Sequence, residues 1–349
     1  ATTAAAATIA ALAALVGLSL LAKRRRPLPR RRRAEVRIGC GAGYAGDRVL
    51  PAVQLVASAN LDYLFLECLA ERTLAIAHNR MASGGAGYDP RLPQWLAMLL
   101  PQCARHSCKL VANLGAADPR KGAAVAAYIA GQLGLRLKVV GVGEPPSCQK
   151  RSDGGAAYTY LGADAVQRAL DAGADVVITG RVADPSMLVG VVAHEFGWDL
   201  ADASTAHKVA TATCCGHLLE CGFHLTGGYF FHPEGRRPVN SGEALTTMGM
   251  PFAVLRDDSE SQHSLAAGSF EVHKARGTGG ELSPRTCTQQ LLYEVHDTRA
   301  YVTPDVSADF SAVRLHQLSP DAVRVEGVRA SSGRPELLLR LEARPAGYK

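Results

Sequence analysis

An open α/β fold, a mostly parallel doubly wound sheet followed by an α+β part, is predicted by three observations. From residue 36 onward, short runs rich in Val, Ile and Leu alternate with helix-length segments, as in chains built from βαβ units. The runs are apolar throughout rather than alternating, which marks strands buried on both faces. The alternation gives way after about residue 230 to turn-rich sequence and then to partly alternating segments. A barrel-like closure is the alternative with this many units. The 349 residues divide into an apolar and basic extension (1–34), an α/β core (35–230) and an α+β part packed on it (231–349). A chain this long buries a sizeable core.

The elements follow in order. Strands are predicted at Val36–Gly39, Leu61–Glu67, Lys109–Leu114, Leu135–Gly141 and Asp175–Gly180, and helices at Pro51–Ala59, Ala70–Arg80, Leu92–Arg105, Gly122–Leu133 and Ala165–Ala172. In the last third, SPRTCTQQLLYEVHD reads as one helix, with Ser283 as N-cap and Pro284 in its first position. DAVRVEGVRA and ELLLRLEARP resemble antiparallel strands.

The net charge of +6 comes from one segment: residues 23–33 hold eight of the 38 Lys and Arg, leaving 30 bases against 32 acids elsewhere. The body therefore lacks the clustered basic face of a nucleic-acid binder. Residues 2–22 carry no charge and precede KRRRPLPRRRR. Three readings compete for residues 2–33: a single membrane anchor, a targeting presequence, or an incidental extension. The nine cysteines form no CxxC pair and are odd in number, which points to a reducing compartment, cytosol or organelle matrix, with most of them buried as small apolar side chains.

Candidate site residues gather where the predicted strands end, the place where open α/β sheets bind ligands. Gly41, Gly43 and Gly46, followed by Asp47 and Arg48, match the dinucleotide-binding spacing, with Glu67 at the end of the next strand. Asp47 argues against that use, because its charge falls where a pyrophosphate would sit. Asn113 and Gly115 follow the third strand, Glu144 the fourth, and Arg181, Asp184 and Ser186 the fifth. Capping by Asp and Ser and turning by Gly is the plainer explanation of any one of these.

In TCCGHLLECGFHLTGGYFF a helix over 216–223 sets His217, Glu220, Cys221 and His224 on one face. An imidazole and a carboxylate one turn apart suit acid–base work, and Cys221 beside a histidine suits a nucleophile. Zinc is the alternative, but the spacing matches no familiar zinc pattern; a buried, satisfied His–Glu pair is the plainest reading. Gly227 and Gly228, and Thr278, Gly279 and Gly280 before the Ser-Pro helix start, suit an anion site for a phosphate-bearing ligand, or simple tight turns. No metal or NAD(P) is expected as a cofactor.

GCGAGYAGDR, LDYLFLECLAERT, ANLGAADP, ITGRVADPSM, HEFGW, GHLLECG, TGGYF, GTGGELS, QLLYEVHD and YVTPDVSADF occur in an order that resembles the acyclic terpene utilisation family, AtuA type, from Val36 to Leu341. The resemblance implies a part in the breakdown of citronellol- and geraniol-like terpenes through acyl-CoA intermediates and a geranyl-CoA carboxylase. It supplies no reaction. Leu50 and Asp118 stand where an acid and an Asn are expected, Cys214, Cys215 and His224 look peculiar to this chain, and RDDSESQHSLAAG reads as an insertion. Members of the family commonly continue into a small ferredoxin-like domain, so a shortened relative or fragment is implied.

These readings combine into an enzyme acting by acid–base chemistry on an acyl-CoA or terpenoid acid. His217 and Glu220 form its proton-transfer pair, Asp184 or Glu67 is a second carboxylate, and Cys221 is a candidate nucleophile. A non-catalytic scaffold or regulatory subunit among carboxylase subunits is the second reading, and a nicotinamide-dependent oxidoreductase the third. A homo-oligomer is expected, with membrane contact only through residues 2–33.

Overall fold

The computed structural model describes residues 34–143, 158–230, 245–293, 295–335 and 340–341. The described residues belong to one compact unit. The extension at 2–33 and Glu144 lie outside the described residues, so the readings attached to them go no further here.

All five predicted strands form, as β1 (Glu35–Ala42), β2 (Tyr63–Leu66), β3 (Lys109–Ala112), β4 (Val139–Val142) and β6 (Val176–Thr179); β5 (Tyr158–Thr159) lies between them in sequence. The first five run parallel in the order β1-β2-β3-β6-β4. The sheet then continues past β1 through β7 (Pro251–Arg256), β8 (Phe270–Lys274), β12 (Ala322–Glu326) and β11 (Arg314–Ser319), all antiparallel to their neighbours. The result is one open nine-stranded mixed sheet, not a closed barrel. Two small sheets stand apart: β9 (Tyr301–Val302), β10 (Ser307–Asp309) and β13 (Arg329–Ser332) form one, and β14 (Arg340–Leu341) pairs with β5.

Strand alternation divides the core in two. Val36, Ile38, Cys40, Tyr63, Phe65, Val111 and Val177 face one cluster, whereas Leu64, Leu66, Leu110, Ala112, Val176 and Ile178 face the other. The second cluster receives α1 (Val49–Ser58), α3 (Leu92–Arg105) and α4 (Pro119–Gln132); the first receives α5 (Ala163–Asp171), α6 (Ser186–Phe196) and α7 (Ala206–Glu220). The sheet is thus covered on both faces, as a doubly wound fold requires. Between α1 and α3, the helix α2 (Glu71–Ala82) packs Leu74 and Ala77 against Leu69, Ala116 and Ala117 at the strand ends. The last helix, α8 (Pro284–Leu292), starts as predicted: the Ser283 hydroxyl accepts from the Thr286 N–H, and the Thr286 hydroxyl accepts from the Ser283 N–H.

On the antiparallel half, cross-strand partners alternate in charge: Glu35 faces Arg256, and Arg324 faces Glu271. Glu271 sits between Arg256 (3.6 Å), Arg324 (3.3 Å) and His273 (3.3 Å). The His273 hydrogen bond, with both arginines behind it, outweighs burial and lowers the Glu271 carboxyl to about 2.

Candidate functional site

Beyond the C-terminal ends of β1, β2, β3 and β6, the fold brings together polar groups that are far apart in sequence. Glu67 follows β2 directly and is buried. Its Oε1 accepts from the side-chain amide of Asn113 and, at 3.4 Å, from the Leu69 N–H. Asn113 opens a single turn of 3₁₀-helix after β3, and its own oxygen accepts from the Cys68 N–H at 2.7 Å. That contact fixes which way the amide points: its N–H₂ must face Glu67. Gly115 lets this turn press on β6, since a Cβ there would lie 2.6 Å from the Thr179 carbonyl.

Arg181, just past β6, is buried beside Glu67, with Nη1 3.9 Å from Glu67 Oε1. Nη1 donates to Asp184 and to the Val182 carbonyl, and Nη2 to Glu71 (2.8 Å) and the Tyr160 hydroxyl (3.1 Å). The Tyr160 ring lies over the guanidinium at 4.4 Å, and its hydroxyl also contacts Glu71. Burial opposes the guanidinium charge, but Asp184 and Glu67 more than offset it and raise its pKa. Glu67 goes the other way. Burial, reinforced by Asp184 and Glu220, pushes its carboxyl well above the usual carboxylate range, against the pull of Arg181 and Asn113. Burial also raises Glu71, yet Arg181 prevails and leaves it lowered.

Glu220 ends α7, and Nδ1 of His217 lies 3.2 Å from its Oε1, both residues being buried. The His217 ring packs against Tyr301 (4.9 Å) and Phe310 (6.1 Å). Glu220 is the member of this pair whose charge acts on Glu67. The expectation that Cys221 and His224 share their helix face is corrected. The α-helix stops at Glu220, Cys221 caps it, and Gly222 turns the chain at φ +52 into a 3₁₀ turn. His224 instead packs edge-to-face against Tyr229 (3.9 Å) and Tyr293 (5.4 Å), and burial lowers its pKa to about 4. The buried thiol of Cys40, on β1, contacts the Ala42 and Glu220 carbonyls at 3.2 and 3.7 Å, and burial and Asp47 raise its pKa, keeping it a neutral thiol.

The glycine loop after β1 does other work than its spacing predicts. A Cβ at Gly41 would lie 2.7 Å from Leu66 Cδ2 and 3.0 Å from Ala52 Cβ, so this glycine seats α1 on β1. A Cβ at Gly43 would lie 2.1 Å from the Cys221 carbonyl carbon, so here the loop meets the end of α7 backbone to backbone. The N–H groups of Gly43 and Tyr44 both donate to Asp47 Oδ2, at 2.8 and 3.1 Å. A phosphate could take these donors only by displacing Asp47. Arg48 donates to the carbonyls of Leu245 and Thr246, tying the loop to the segment before β7.

The other glycine clusters form turns of their own. Gly227 and Gly228 donate back to His224 and Phe223 in a turn after α7. Gly279 donates to Thr247, a Cβ at Gly280 would strike the Thr226 carbonyl at 2.5 Å, and Thr278 accepts from Lys274. The start of α8 beside them carries its own acid, Glu281, which accepts from Ser283 at 2.6 Å. Asp118 is the N-cap of α4, and Ser186 donates to buried Asp305. Plain capping thus accounts for some of the polar strand-end residues, but not for Glu67, Asn113 or Arg181. Sequence reasoning missed Tyr160 and Cys40. Nothing in YTYLG distinguishes a tyrosine that covers a guanidinium, and Cys40 sits inside an apolar strand run.

A pocket of about 160 Å³ borders Asn113; Leu69, Ile76 and Ala77 line it together with the charged residues Arg80, Asp89 and Arg91. Among the described residues, no group of three or more His, Cys, Asp and Glu is arranged to hold a metal ion. No described helix is long and apolar enough to cross a membrane. The eight cysteines among the described residues are free thiols.

The family model for acyclic terpene utilisation family protein AtuA matches residues 36–152 and 143–349. No curated protein and no solved structure matches the chain.

Proposed function

Because the chain belongs to the acyclic terpene utilisation family, AtuA type, we propose that it is an enzyme of acyclic terpene breakdown that moves a proton on a terpenoid acid or its acyl thioester. The observation that carries this reading is Glu67. Its carboxyl is buried at the C-terminal end of a parallel strand and held well above the usual carboxylate range by burial, with a second carboxylate, Glu220, within electrostatic reach. Two carboxyls in one crevice whose environments differ can divide the acid and base roles between them. Glu67 acts as the acid, and Glu220, backed by His217, receives the substrate proton. Asn113 and Arg181 are positioning residues: one holds Glu67 Oε1, and the other sets the charge balance around it. The nicotinamide reading is disfavoured by Asp47, which already occupies the loop donors.

A thermal-shift screen with geranyl-CoA, citronellyl-CoA, the free acids and NAD(P) tests the proposal. A ligand at about a hundred times its dissociation constant adds about 2.7 kcal/mol of stability, a shift of several degrees for a chain of this size. Stabilisation by a terpenoid ligand supports the reading. Stabilisation by NAD(P) alone overturns it, and no shift with any ligand, with carboxylase subunits co-purifying, replaces it with the scaffold.

A further inference from the structure

We infer that the pocket bordering Asn113 is a binding site for an aliphatic monocarboxylate, with Arg80 and Arg91 holding its charge and the apolar residues of the lining covering its chain. The site adjoins Glu67 through Asn113 but requires no proton transfer there, so it goes beyond the reading above and stands without it.

One wall of the pocket is a face of α2. Thr73, Ile76, Ala77 and Arg80 recur at three- and four-residue intervals, the spacing that sets side chains along one side of a helix, and all four line the pocket. Cys68 and Leu69 after β2, and Asn113 and Ala116 after β3, line it as well. The pocket thus lies at the C-terminal ends of parallel strands, where open sheets take ligands. Leu69, Ala77 and Ala116 are buried in one apolar cluster, whereas Ile76 is 49% exposed and marks the solvent side. The volume of about 160 Å³ is far above the ~15 Å³ that a single buried water needs.

The charges on this lining do not balance. Two guanidinium groups, Arg80 and Arg91, meet one carboxylate, Asp89, which leaves one positive charge over. Asp89 is engaged by Arg91, accepting from its Nε (3.3 Å), its Nη2 (3.4 Å) and its backbone N–H (2.8 Å). Arg80 has no such acid. Its Nε donates to the Ala86 carbonyl at 2.7 Å and its Nη2 to the Tyr88 carbonyl at 2.8 Å, and it makes no ion pair among the described residues. Carbonyls fix the guanidinium in place without neutralising it. In both arginines the edge in use is the one formed by Nε and Nη2, so Nη1 has no partner among the described residues. The outer edge, Nη1 beside Nη2, is the two-donor fork that the two oxygens of a carboxylate match. The other acids whose charge reaches the pocket at Cys68 are Glu67 and Asp47. They are engaged by Asn113 and by the Gly43 and Tyr44 N–H groups.

A monocarboxylate therefore restores neutrality at Arg80, and an aliphatic chain on it covers Leu69, Ile76 and Ala77. An alcohol with the same chain leaves the guanidinium unneutralised. A phosphate dianion overshoots the charge and leaves the apolar side bare.

Calorimetry on the full chain at pH 7 with citronellic acid, citronellol and inorganic phosphate tests this. Citronellate is expected to bind at least about tenfold more tightly than either of the others, the worth of one hydrogen bond to a charged group. Ile76→Glu sets a carboxylate one turn before Arg80, where it takes the place of the ligand's own. It should weaken citronellate at least about tenfold, whereas Ile76→Gln, of the same size and uncharged, stays within about threefold. Arg80→Met should lose at least about tenfold; should it not fold, the two Ile76 variants decide. Citronellol or phosphate binding as tightly as citronellate, equal binding by Ile76→Glu and Ile76→Gln, or no binding of citronellate overturns the inference.

Discussion

Replacing Gly43 with alanine separates a packing glycine from a phosphate-binding one. The added methyl would lie 2.1 Å from the Cys221 carbonyl carbon and 2.5 Å from both the Cys221 oxygen and the Gly222 nitrogen. These are backbone atoms, and they are not free to retreat: the Cys221 carbonyl accepts from the His224 N–H at 3.1 Å, and the Glu220 carbonyl contacts the Cys40 thiol. The overlap exceeds an ångström against ordinary contact, so the upper end of the overpacking range applies, about 3 kcal/mol. At about 2 °C per kcal/mol for a chain this large, Gly43→Ala should melt about 6 °C below wild type. Gly46→Ala is the control. The three atoms nearest its methyl all belong to the ring of Tyr44, which is 64% exposed and free to swing away, so the change should stay within about 0.5 kcal/mol. Differential scanning calorimetry of the two variants without ligand gives the answer. If Gly43→Ala melts within about 1 °C of wild type, or Gly46→Ala falls as far, the packing account of this loop is wrong.

Glu67 makes stability depend on pH in a defined direction. Its folded pKa is raised above the ordinary 4.5, so the folded chain binds the extra proton and wild-type stability falls as pH climbs from 4.5 toward the folded value. Glu67→Gln lacks this slope, and in urea titrations its stability relative to wild type should grow as pH rises above 4.5, by at most about 1.4 kcal/mol per pH unit; a constant difference refutes the shift. Glu271 has the opposite sign. Its carboxyl is lowered from 4.5 to about 2, so its contribution is complete above 4.5 and disappears as pH falls through 2. Glu271→Gln should lose about 1 kcal/mol at pH 7, its partly exposed partners limiting the effect, and converge with wild type near pH 2. Ser283→Ala removes the cap of α8 and should cost about 1 kcal/mol at neutral pH by denaturant unfolding.

The parallel half of the sheet was legible because each strand is a short apolar run buried on both faces, bounded by turn residues. PFAVLR and FEVHK, which became β7 and β8, lie between turn-rich segments and carry no such punctuation. Helix α6 was missed because SMLVGVVAHEF is apolar nearly all round, and ten of its eleven residues are buried; without a polar face there is no helical period to read. Glu67, Asn113 and Arg181 could be proposed because strand ends gather ligands in such sheets. Their mutual contacts could not, since 46 residues separate Glu67 from Asn113 and only the β2–β3 register brings them together. The glycine spacing is legible in part: it announces a close approach of backbone, and at Gly43 the backbone approached is the end of α7.

Deuterium uptake tests the central claim most directly. The thioester of citronellic acid, incubated with the protein in D₂O and followed by mass spectrometry, reports removal of the proton beside the thioester carbonyl. Wild type should wash in deuterium, and Glu67→Gln and Glu220→Gln should slow this by about a hundredfold or more while retaining their fold. Uptake at the wild-type rate in both variants, or none in wild type with the thioester bound, would contradict proton transfer at this crevice.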